Sequence, residues 1–142
     1  ALEAVLRLFT APEQLKQHHP VIRQLTRAKS DIDAVAQRLL PLFQQSLGHH
    51  ATFEIVNCMS QIGSGALPVD LLPSRALAIC PTTTSSSRGN ELNRWHKAMR
   101  QLTRPVIGRT SNDLLLLDFR TLEDEAALVS QLPDLRQALD IA

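Results

Sequence analysis

The residues best placed to do chemistry in this chain of 142 residues form a small polar loop near its middle. Gly63, Ser64 and Gly65 follow Gln61 and precede Pro68. Glycine lets a backbone approach another molecule closely, and Gln61 and Ser64 add uncharged hydrogen-bonding groups. The loop lacks the Lys-Ser/Thr pair of a Walker motif and the third glycine of a dinucleotide-binding motif. It is therefore either a binding loop of another kind or a simple corner between two strands.

A second candidate is a basic stretch between positions 88 and 109, where six residues are Lys or Arg and Glu91 is the only acid. On a helix, Arg94, Lys97 and Arg100 lie near one another and can follow the phosphates of an RNA backbone. The simpler alternative is a solvated helix face, because the chain has no tyrosine and Trp95, the aromatic residue of this stretch, lies opposite the basic residues with Leu92 and Met99. Both interpretations stay open at this stage.

Residues that often bind metals or perform acid–base chemistry are present but are not spaced for either task. The histidines occur as two adjacent pairs and one single residue, with no Cys-x-x-Cys or His-x-x-x-His spacing. Asp118 and Asp124 with Glu123 and Glu125 could be imagined as an acid–base pair, but Glu123, Asp124 and Glu125 fit the first turn of a helix, where carboxylates are common. Cys58 and Cys80 lie in apolar runs typical of a cytosolic protein, although a disulfide between neighbouring strands stays open. We predict neither a metal site nor a catalytic residue.

The length and composition limit the class of protein. The chain is 44% hydrophobic with a net charge of +1, which fits one domain, or one small domain with an appendage. No apolar run approaches the ~20 residues of a membrane span, so we expect a soluble, cytoplasmic protein. Leu2, Val5, Leu6 and Phe9 recur at helical spacing from the first residues without an N-cap. This pattern suggests the carboxy-terminal part of a longer protein.

The periodicity predicts a fold that brings these residues together. It first indicates helices over 1–9 and 12–18 and a helix that is capped by Ser30 and ends at Gly48. Strands over Phe53–Met59 and Ala76–Cys80 follow, and then a helix whose inner face carries Leu92, Trp95, Met99 and Leu102. The last elements are a hairpin over Pro105–Phe119 with a turn at 111–113, and a helix that is capped by Thr121 and interrupted at Pro133. The predicted class is α+β, with an antiparallel or mixed sheet and helices over one face. We expect a linker helix and helical connector over 1–29 and a small α+β domain over 30–142.

Three sequence blocks resemble one known family. SQIGSGALPVDLLPSRALAICP, residues 60–81, is similar to a stretch of the bacterial selenocysteine synthases, the L-seryl-tRNA(Sec) selenium transferases. The similarity continues through RPVIGRTSNDLLLLDFRTLEDEAALVSQL, residues 104–132, and ALEAVLRLF at 1–9 resembles the helix that begins the family's carboxy-terminal portion. The blocks follow the family's order and cover nearly the whole chain.

This resemblance implies the small carboxy-terminal domain of a fold type I transferase that uses pyridoxal phosphate. Such an enzyme converts seryl-tRNA(Sec) to selenocysteyl-tRNA(Sec) with selenophosphate and acts as a homo-oligomer. Its cofactor is held by a lysine, and we assign that role to none of Lys16, Lys29 and Lys97, which lack the expected strand–turn context. We therefore expect this chain alone to bind no cofactor covalently and to catalyse nothing.

The resemblance also gives the central loop a role. In fold type I enzymes the small domain packs on its own large catalytic domain and closes one wall of the active-site cleft. Gln61, Gly63, Ser64 and Gly65 would then lie beside the substrate, whereas Leu71 departs from the polar or basic residue of some relatives. Arg94, Lys97 and Arg100 would be the candidate tRNA contacts. The alternative is a free-standing α+β interaction or regulatory module without catalysis.

Overall fold

The computed structural model describes residues 3, 18–61, 71–83 and 87–141. The helix predicted over 1–9 apart from Glu3, the one over 12–18 apart from His18, and Gly63, Ser64 and Gly65 lie outside the described residues. The remaining predictions can be compared with the structure element by element.

Within the described residues, two helices with given bounds precede the sheet. Helix α1 spans Pro20–Leu25, and its proline occupies the first turn, where no intrahelical N–H bond is lost. Helix α2 spans Lys29–Leu47, with Pro41 on its exposed side. The predicted cap at Ser30 is wrong: the cap position is Ala28, two residues earlier, and it makes no side-chain cap hydrogen bond. The apolar stripe of α2 is buried as predicted, so packing rather than capping stabilises this helix.

Four strands form one antiparallel sheet in the order β1-β2-β4-β3. Their bounds are β1 Ala51–Ser60, β2 Leu72–Pro81, β3 Arg109–Ser111 and β4 Leu114–Asp118. The α+β class predicted from the sequence is confirmed, although β1 and β2 are longer than predicted because the ladder continues through polar residues. The β3–β4 turn uses Asn112 and Asp113 with positive φ, which suits a tight two-residue hairpin turn.

Three further helices complete the fold. They are α3 Arg88–Arg100, α4 Glu125–Ser130 and α5 Leu132–Ile141. A single 3-10 turn over Phe119–Thr121 separates β4 from α4. The predicted cap at Thr121 is therefore wrong: Asp124 caps α4 by accepting a hydrogen bond of 2.9 Å from the Ala127 N–H.

The main core lies between one face of the sheet and the helices. Phe43 of α2, Phe53 of β1 and Trp95 of α3 meet at its centre, with ring centroids 5.9 and 6.2 Å apart. Leu92, Trp95 and Met99 are buried, which confirms the inner face predicted for α3. The opposite face, called here the open face, carries a smaller apolar cluster of Ala76, Ala78 and Leu116 with Val56, Cys58 and Leu114 at its margin. The helices thus cover one face of the sheet, as predicted.

The strand register separates the two cysteines. Cys58 pairs with Ser74, whereas Cys80 pairs with Thr52 at the other end of the same ladder. Six positions along a strand correspond to about 20 Å, which is far beyond the reach of a disulfide. Both thiols are free.

Gly108 lets the segment before β3 lie directly against β4. A Cβ atom at this position would come within 2.5 Å of Leu115 Cδ1 and 2.9 Å of the Leu116 carbonyl oxygen. Because one of these neighbours is backbone, the segment itself would have to move. This close approach fixes where Arg109 enters the sheet.

We predict that Gly108→Ala lowers the free energy of unfolding by about 1–3 kcal/mol because the new methyl group overpacks this contact. Gly89→Ala is the matched control, since a Cβ at Gly89 in the first turn of α3 meets nothing within 4 Å. The control should be neutral or stabilising by up to about 1 kcal/mol. Urea denaturation of both variants tests the difference, and equal midpoints would contradict it.

Candidate functional site

A line of polar side chains crosses the open face of the sheet diagonally, with one member from each strand. The members are Ser60 of β1, Ser74 of β2, Asp118 of β4 and Arg109 of β3. The register puts all four on the same face, because residues paired across a ladder point to the same side. We call this set the Asp118 cluster. It lies at the end of the sheet where β1 stops and β2 begins, on either side of the central loop.

The Asp118 carboxylate is the centre of the cluster. Its Oδ2 accepts a hydrogen bond from the Ser60 hydroxyl, and its Oδ1 accepts one of 2.7 Å from the Ser74 hydroxyl. The backbone N–H of Arg120 donates to Oδ1 at 3.1 Å. Both serines are buried, at 4% and 0% exposure, so their hydroxyl groups need a protein partner. One carboxylate therefore ties together the two strand ends that carry the central loop.

The environment of Asp118 keeps it ionised. Burial by itself would raise the pKa of the Asp118 carboxyl, but the hydrogen bonds from Ser60, Ser74 and the Arg120 N–H and the charge of Arg109 outweigh it. The pKa of Asp118 is therefore lowered. Burial, followed by the nearby charge of Asp118, raises the pKa of the Cys58 thiol, whose sulfur lies 3.6 Å from Oδ2. A protonated thiol is a poor nucleophile, so this environment does not activate Cys58.

Arg120 connects the cluster to the helical connector. Its buried guanidinium donates to the carbonyl oxygens of Gln24 at 2.9 Å and Arg27 at 3.0 Å, and to that of Pro73 at 2.6 Å. Arg27 reciprocates by donating from Nη1 to three carbonyl oxygens in the 3-10 turn and its exit, those of Phe119, Arg120 and Leu122. The segment between α1 and α2 is thus held to the start of β2 through one arginine.

The other acids considered from the sequence have separate partners. Glu123 forms a two-pronged pair with Arg23, at 2.8 and 3.2 Å, and Glu125 pairs with Arg38 at 2.6 Å. Asp124 both caps α4 and pairs with Arg104 at 2.7 Å. Each carboxylate is engaged in a structural contact. Among the described residues these acids form no shared acid–base site.

Of the residues predicted to lie beside a substrate, the structure describes only Gln61, at this same end of the sheet. Gln61 is exposed and directly follows Ser60, whereas Gly63, Ser64 and Gly65 lie outside the described residues. Leu71, on the other side of the loop, is 52% exposed. The structure therefore places both ends of the central loop next to the Asp118 cluster.

The three basic residues of α3 have different surroundings. Arg94 is half-buried, pairs with Glu91 at 2.9 Å and also donates to the Leu139 carbonyl oxygen. Lys97 and Arg100 are exposed, and Arg100 donates from Nε to the His96 carbonyl at 3.0 Å. Arg94 therefore joins α3 to α5, while Lys97 and Arg100 remain directed to the surface.

The described part of the chain offers little to hold a cofactor or a metal. A cavity of about 430 Å³ opens between Asp118 and the exposed Ile107, and a second of about 420 Å³ lies beside Arg27 and Arg120. Neither Lys29 nor Lys97 lines these cavities. Within residues 18–61, 71–83 and 87–141, no cluster of His, Cys, Asp or Glu could coordinate a metal. None of the helices described is long and apolar enough to cross a lipid bilayer.

Sequence reasoning missed the centre of the cluster. Asp118 was considered only as one of several acids near a helix start, and Arg120 received no role. A signal was present: Ser60 and Asp118 are the last residues of β1 and β4, and Ser74 lies near the start of β2, on positions that share one face. Recognising it requires the pairing of β2 with both β1 and β4, which the sequence pattern alone does not give.

Comparison with known proteins identifies relatives of the chain. A family profile described as L-seryl-tRNA selenium transferase matches residues 1–123. The L-seryl-tRNA(Sec) selenium transferases of Yersinia pestis (strain Pestoides F) and Yersinia pseudotuberculosis serotype O:1b (strain IP 31758) are each 48% identical over 132 residues. These matches cover 93% of this chain and 28% of each relative. The matched region is the carboxy-terminal part of the relatives.

We predict that Asp118→Asn lowers the free energy of unfolding by about 1.5–3 kcal/mol at pH 7, because buried hydroxyl donors lose a charged acceptor. The pKa of Asp118 is depressed in the folded state, so its stabilisation is present above the unfolded value of about 3.9. It is lost as the pH falls towards the folded value. Urea titrations at pH 7, 5 and 3 should therefore show that the difference in unfolding free energy between wild type and Asp118→Asn becomes smaller as the pH falls.

Asp113→Asn is the matched control for this prediction. Asp113 is an exposed carboxylate in the β3–β4 turn, and asparagine tolerates its positive φ. If the two substitutions have equal effects at pH 7, Asp118 is not the organising group that its contacts indicate.

Proposed function

Because the chain belongs to the L-seryl-tRNA selenium transferase family, we propose that it is the carboxy-terminal small domain of an enzyme that transfers selenium to seryl-tRNA(Sec). The product would be selenocysteyl-tRNA(Sec), and selenophosphate would be the selenium donor. The observation that carries this proposal is the 48% identity to named transferases over 93% of the chain. The chain spans about 28% of the length of those relatives, so the chemistry of the whole enzyme requires more than these residues.

The contribution of this domain would be one wall of the active-site cleft. The loop with Gln61 and Ser64 starts and ends at strands held by Asp118, which supports a fixed position for its two ends. An aminoacyl-tRNA carries its carboxyl group as an ester and has no carboxylate for an arginine to bind. Uncharged donors such as the Gln61 amide and the Ser64 hydroxyl suit that ester.

The cofactor would be bound by another part of the enzyme. Pyridoxal phosphate needs a lysine amine in a pocket, whereas Lys29 and Lys97 are exposed and line neither cavity. The described residues therefore do not fit the cofactor. In this proposal the chain alone binds no pyridoxal phosphate covalently and has no activity.

The domain would join its own large catalytic domain through residues 1–29, and residues 30–142 would form the small domain. The bonds from Arg120 to the carbonyl oxygens of Gln24 and Arg27 support a firm attachment of the connector. We propose in addition that the intact enzyme is a homo-oligomer. The alternative, a free-standing α+β module without catalysis, lacks a comparable supporting observation.

The exposed face of α3 is a candidate contact for tRNA. Lys97 and Arg100 present their charges to solvent, which favours contact with phosphates. Arg94 is engaged by Glu91 and the Leu139 carbonyl oxygen, so it would act by positioning α3. We therefore place any RNA contact of this helix on Lys97 and Arg100.

We predict that replacing Gln61 and Ser64 together with Ala lowers kcat/KM for seryl-tRNA by about tenfold in the complete transferase. Losing hydrogen bonds worth about 1.4 kcal/mol in the transition state gives this factor. Selenocysteyl-tRNA formation is measured with pyridoxal phosphate and selenophosphate supplied. Gln45→Ala, an exposed site on α2, is the control. Unchanged turnover would remove the loop from the site, and an inactive wild-type enzyme would refute the proposed function itself.

A second prediction concerns α3. Charge reversal of Lys97 and Arg100 to Glu should weaken tRNA binding by the complete enzyme and reduce its dependence on salt concentration, because two phosphate contacts would be lost. Charge reversal of Arg38, which lies on the exposed side of α2, is the control. Equal binding and equal salt dependence in all three proteins would show that the basic face of α3 is only solvated.

A further inference from the structure

We infer that the cavity beside Arg27 and Arg120 is a binding site for a small oxyanion of the phosphate type. This cavity, called here the arginine cavity, has a volume of about 420 Å³. Its walls come from α1, the first turn of α2, the 3-10 turn and the segment between α1 and α2. Three arginines line it, Arg23, Arg27 and Arg120, whereas Asp118 and Gln61 do not.

The guanidinium of Arg120 is a buried charge without a countercharge. The residue is 2% exposed, and none of the ion pairs between described residues includes it. Its three side-chain hydrogen bonds go to carbonyl oxygens, and its Nε has no hydrogen-bond partner in the part of the chain that the structure describes. Burying a charge without a counterion is strongly unfavourable, so an anion in the adjoining cavity would offset this cost.

Arg27 brings a second unpaired charge to the arginine cavity. Its Nη1 donates to the three carbonyl oxygens of the 3-10 turn and its exit, and no described carboxylate forms an ion pair with it. Its Nε and Nη2 have no acceptor among the described residues, and neither is a buried atom. These N–H groups are therefore free to donate to a ligand, and a planar guanidinium suits the oxygens of a phosphate.

The carboxylates on the cavity wall do not neutralise these two arginines. Glu123 is engaged by the Arg23 guanidinium at 2.8 Å and by the Gln24 amide at 3.2 Å. The hydrogen bond from Arg23 is the main cause that lowers the pKa of Glu123, which keeps that pair ionised. Asp31 is exposed and forms no ion pair with a described residue. Two guanidinium charges thus remain for the ligand, which favours a phosphate dianion over a single carboxylate.

The start of α2 adds a favourable dipole to the arginine cavity. This helix has 19 residues, its N-cap Ala28 makes no side-chain hydrogen bond, and Asp31 of its first turn lines the cavity. The N–H groups at the start of a helix and its positive dipole end attract oxyanions. The cavity therefore combines two unpaired guanidinium groups with the positive end of a long helix.

The exposed acids decide between a free ion and a nucleic acid. Asp31 and Glu123 both line the cavity and are both exposed to solvent. A strand of RNA carries a phosphate at every nucleotide, so these carboxylates would repel its neighbouring phosphates. A free phosphate ion needs only the recess and its arginines. We therefore assign the cavity to a small oxyanion rather than to a phosphate of RNA.

The test measures binding of labelled inorganic phosphate to the complete transferase, loaded with its cofactor, by equilibrium dialysis. Arg27→Gln should lose one bound phosphate per chain, whereas Arg27→Lys should keep the site with an affinity reduced by about tenfold or less. Asp31→Asn should tighten binding by about two- to fivefold, because one repulsive charge beside the ligand is removed. Arg38→Gln is the control, since Arg38 of α2 pairs with Glu125 outside the cavity, and it should match the wild type.

Three results would overturn the inference. Equal phosphate binding in the wild type, Arg27→Gln and Asp31→Asn would exclude the site. Equal phosphate binding with weaker tRNA binding in Arg27→Gln would assign the cavity to RNA instead. Equal binding of both, with a lower midpoint of unfolding in Arg27→Gln, would give this arginine a structural role alone. Phosphate binding does not require turnover, so an enzyme without selenium transfer would refute the proposed function and not this site.

Discussion

The arrangement of this domain depends on the hydrogen bonds accepted by one carboxylate, that of Asp118. It bridges the end of β1 and the start of β2, and it adjoins the edge strand through Arg109. The other face of the sheet packs against helices, whereas the described residues of the open face form a smaller apolar cluster and this polar line. Buried hydroxyl groups without an acceptor would destabilise that end of the sheet. The Asp118 carboxylate thus holds the strand ends together on the open face, as helix packing holds the strands on the other face.

Because Arg120 is only two residues from Asp118, the hydrogen bonds at the strand ends are connected to those that hold the helical connector. Asp118 holds the side chains at the strand ends, while the guanidinium of Arg120 holds carbonyl oxygens of the connector and of Pro73. Arg27 binds the same 3-10 turn from the opposite direction. A shift of the connector would therefore have to break bonds that also define the start of β2. In the proposed enzyme, these hydrogen bonds would join the connector that attaches the domain to the end of the sheet that faces the cleft.

Local patterns predicted the parts of the fold that local physics determines. The apolar stripe of α2, the inner face of α3 and the β3–β4 turn follow from side-chain spacing and turn chemistry, and the structure contains all three. The caps assigned to Ser30 and Thr121 are wrong, because the two helices begin after the nearby residues Ala28 and Asp124 instead. The cluster could not be predicted, since Ser60 and Asp118 are 58 positions apart and meet only through the order β1-β2-β4-β3. The pairing of Arg94 with Leu139 depends likewise on how α5 packs.

The two ends of the β1–β2 ladder differ in a way that argues for function at only one of them. At the Ala51–Pro81 end, the Thr82 N–H donates to the His50 carbonyl and His50 pairs with Asp140, so the sheet is closed by local contacts. At the Ser60–Leu72 end, a half-buried carboxylate accepts the buried Ser60 and Ser74 hydroxyl groups, with an arginine 3.5 Å from it. Apolar residues of similar volume would stabilise that end at least as well as buried polar groups do. The polar cluster is therefore better explained by the position it gives to the two strand ends that flank the central loop than by its contribution to stability.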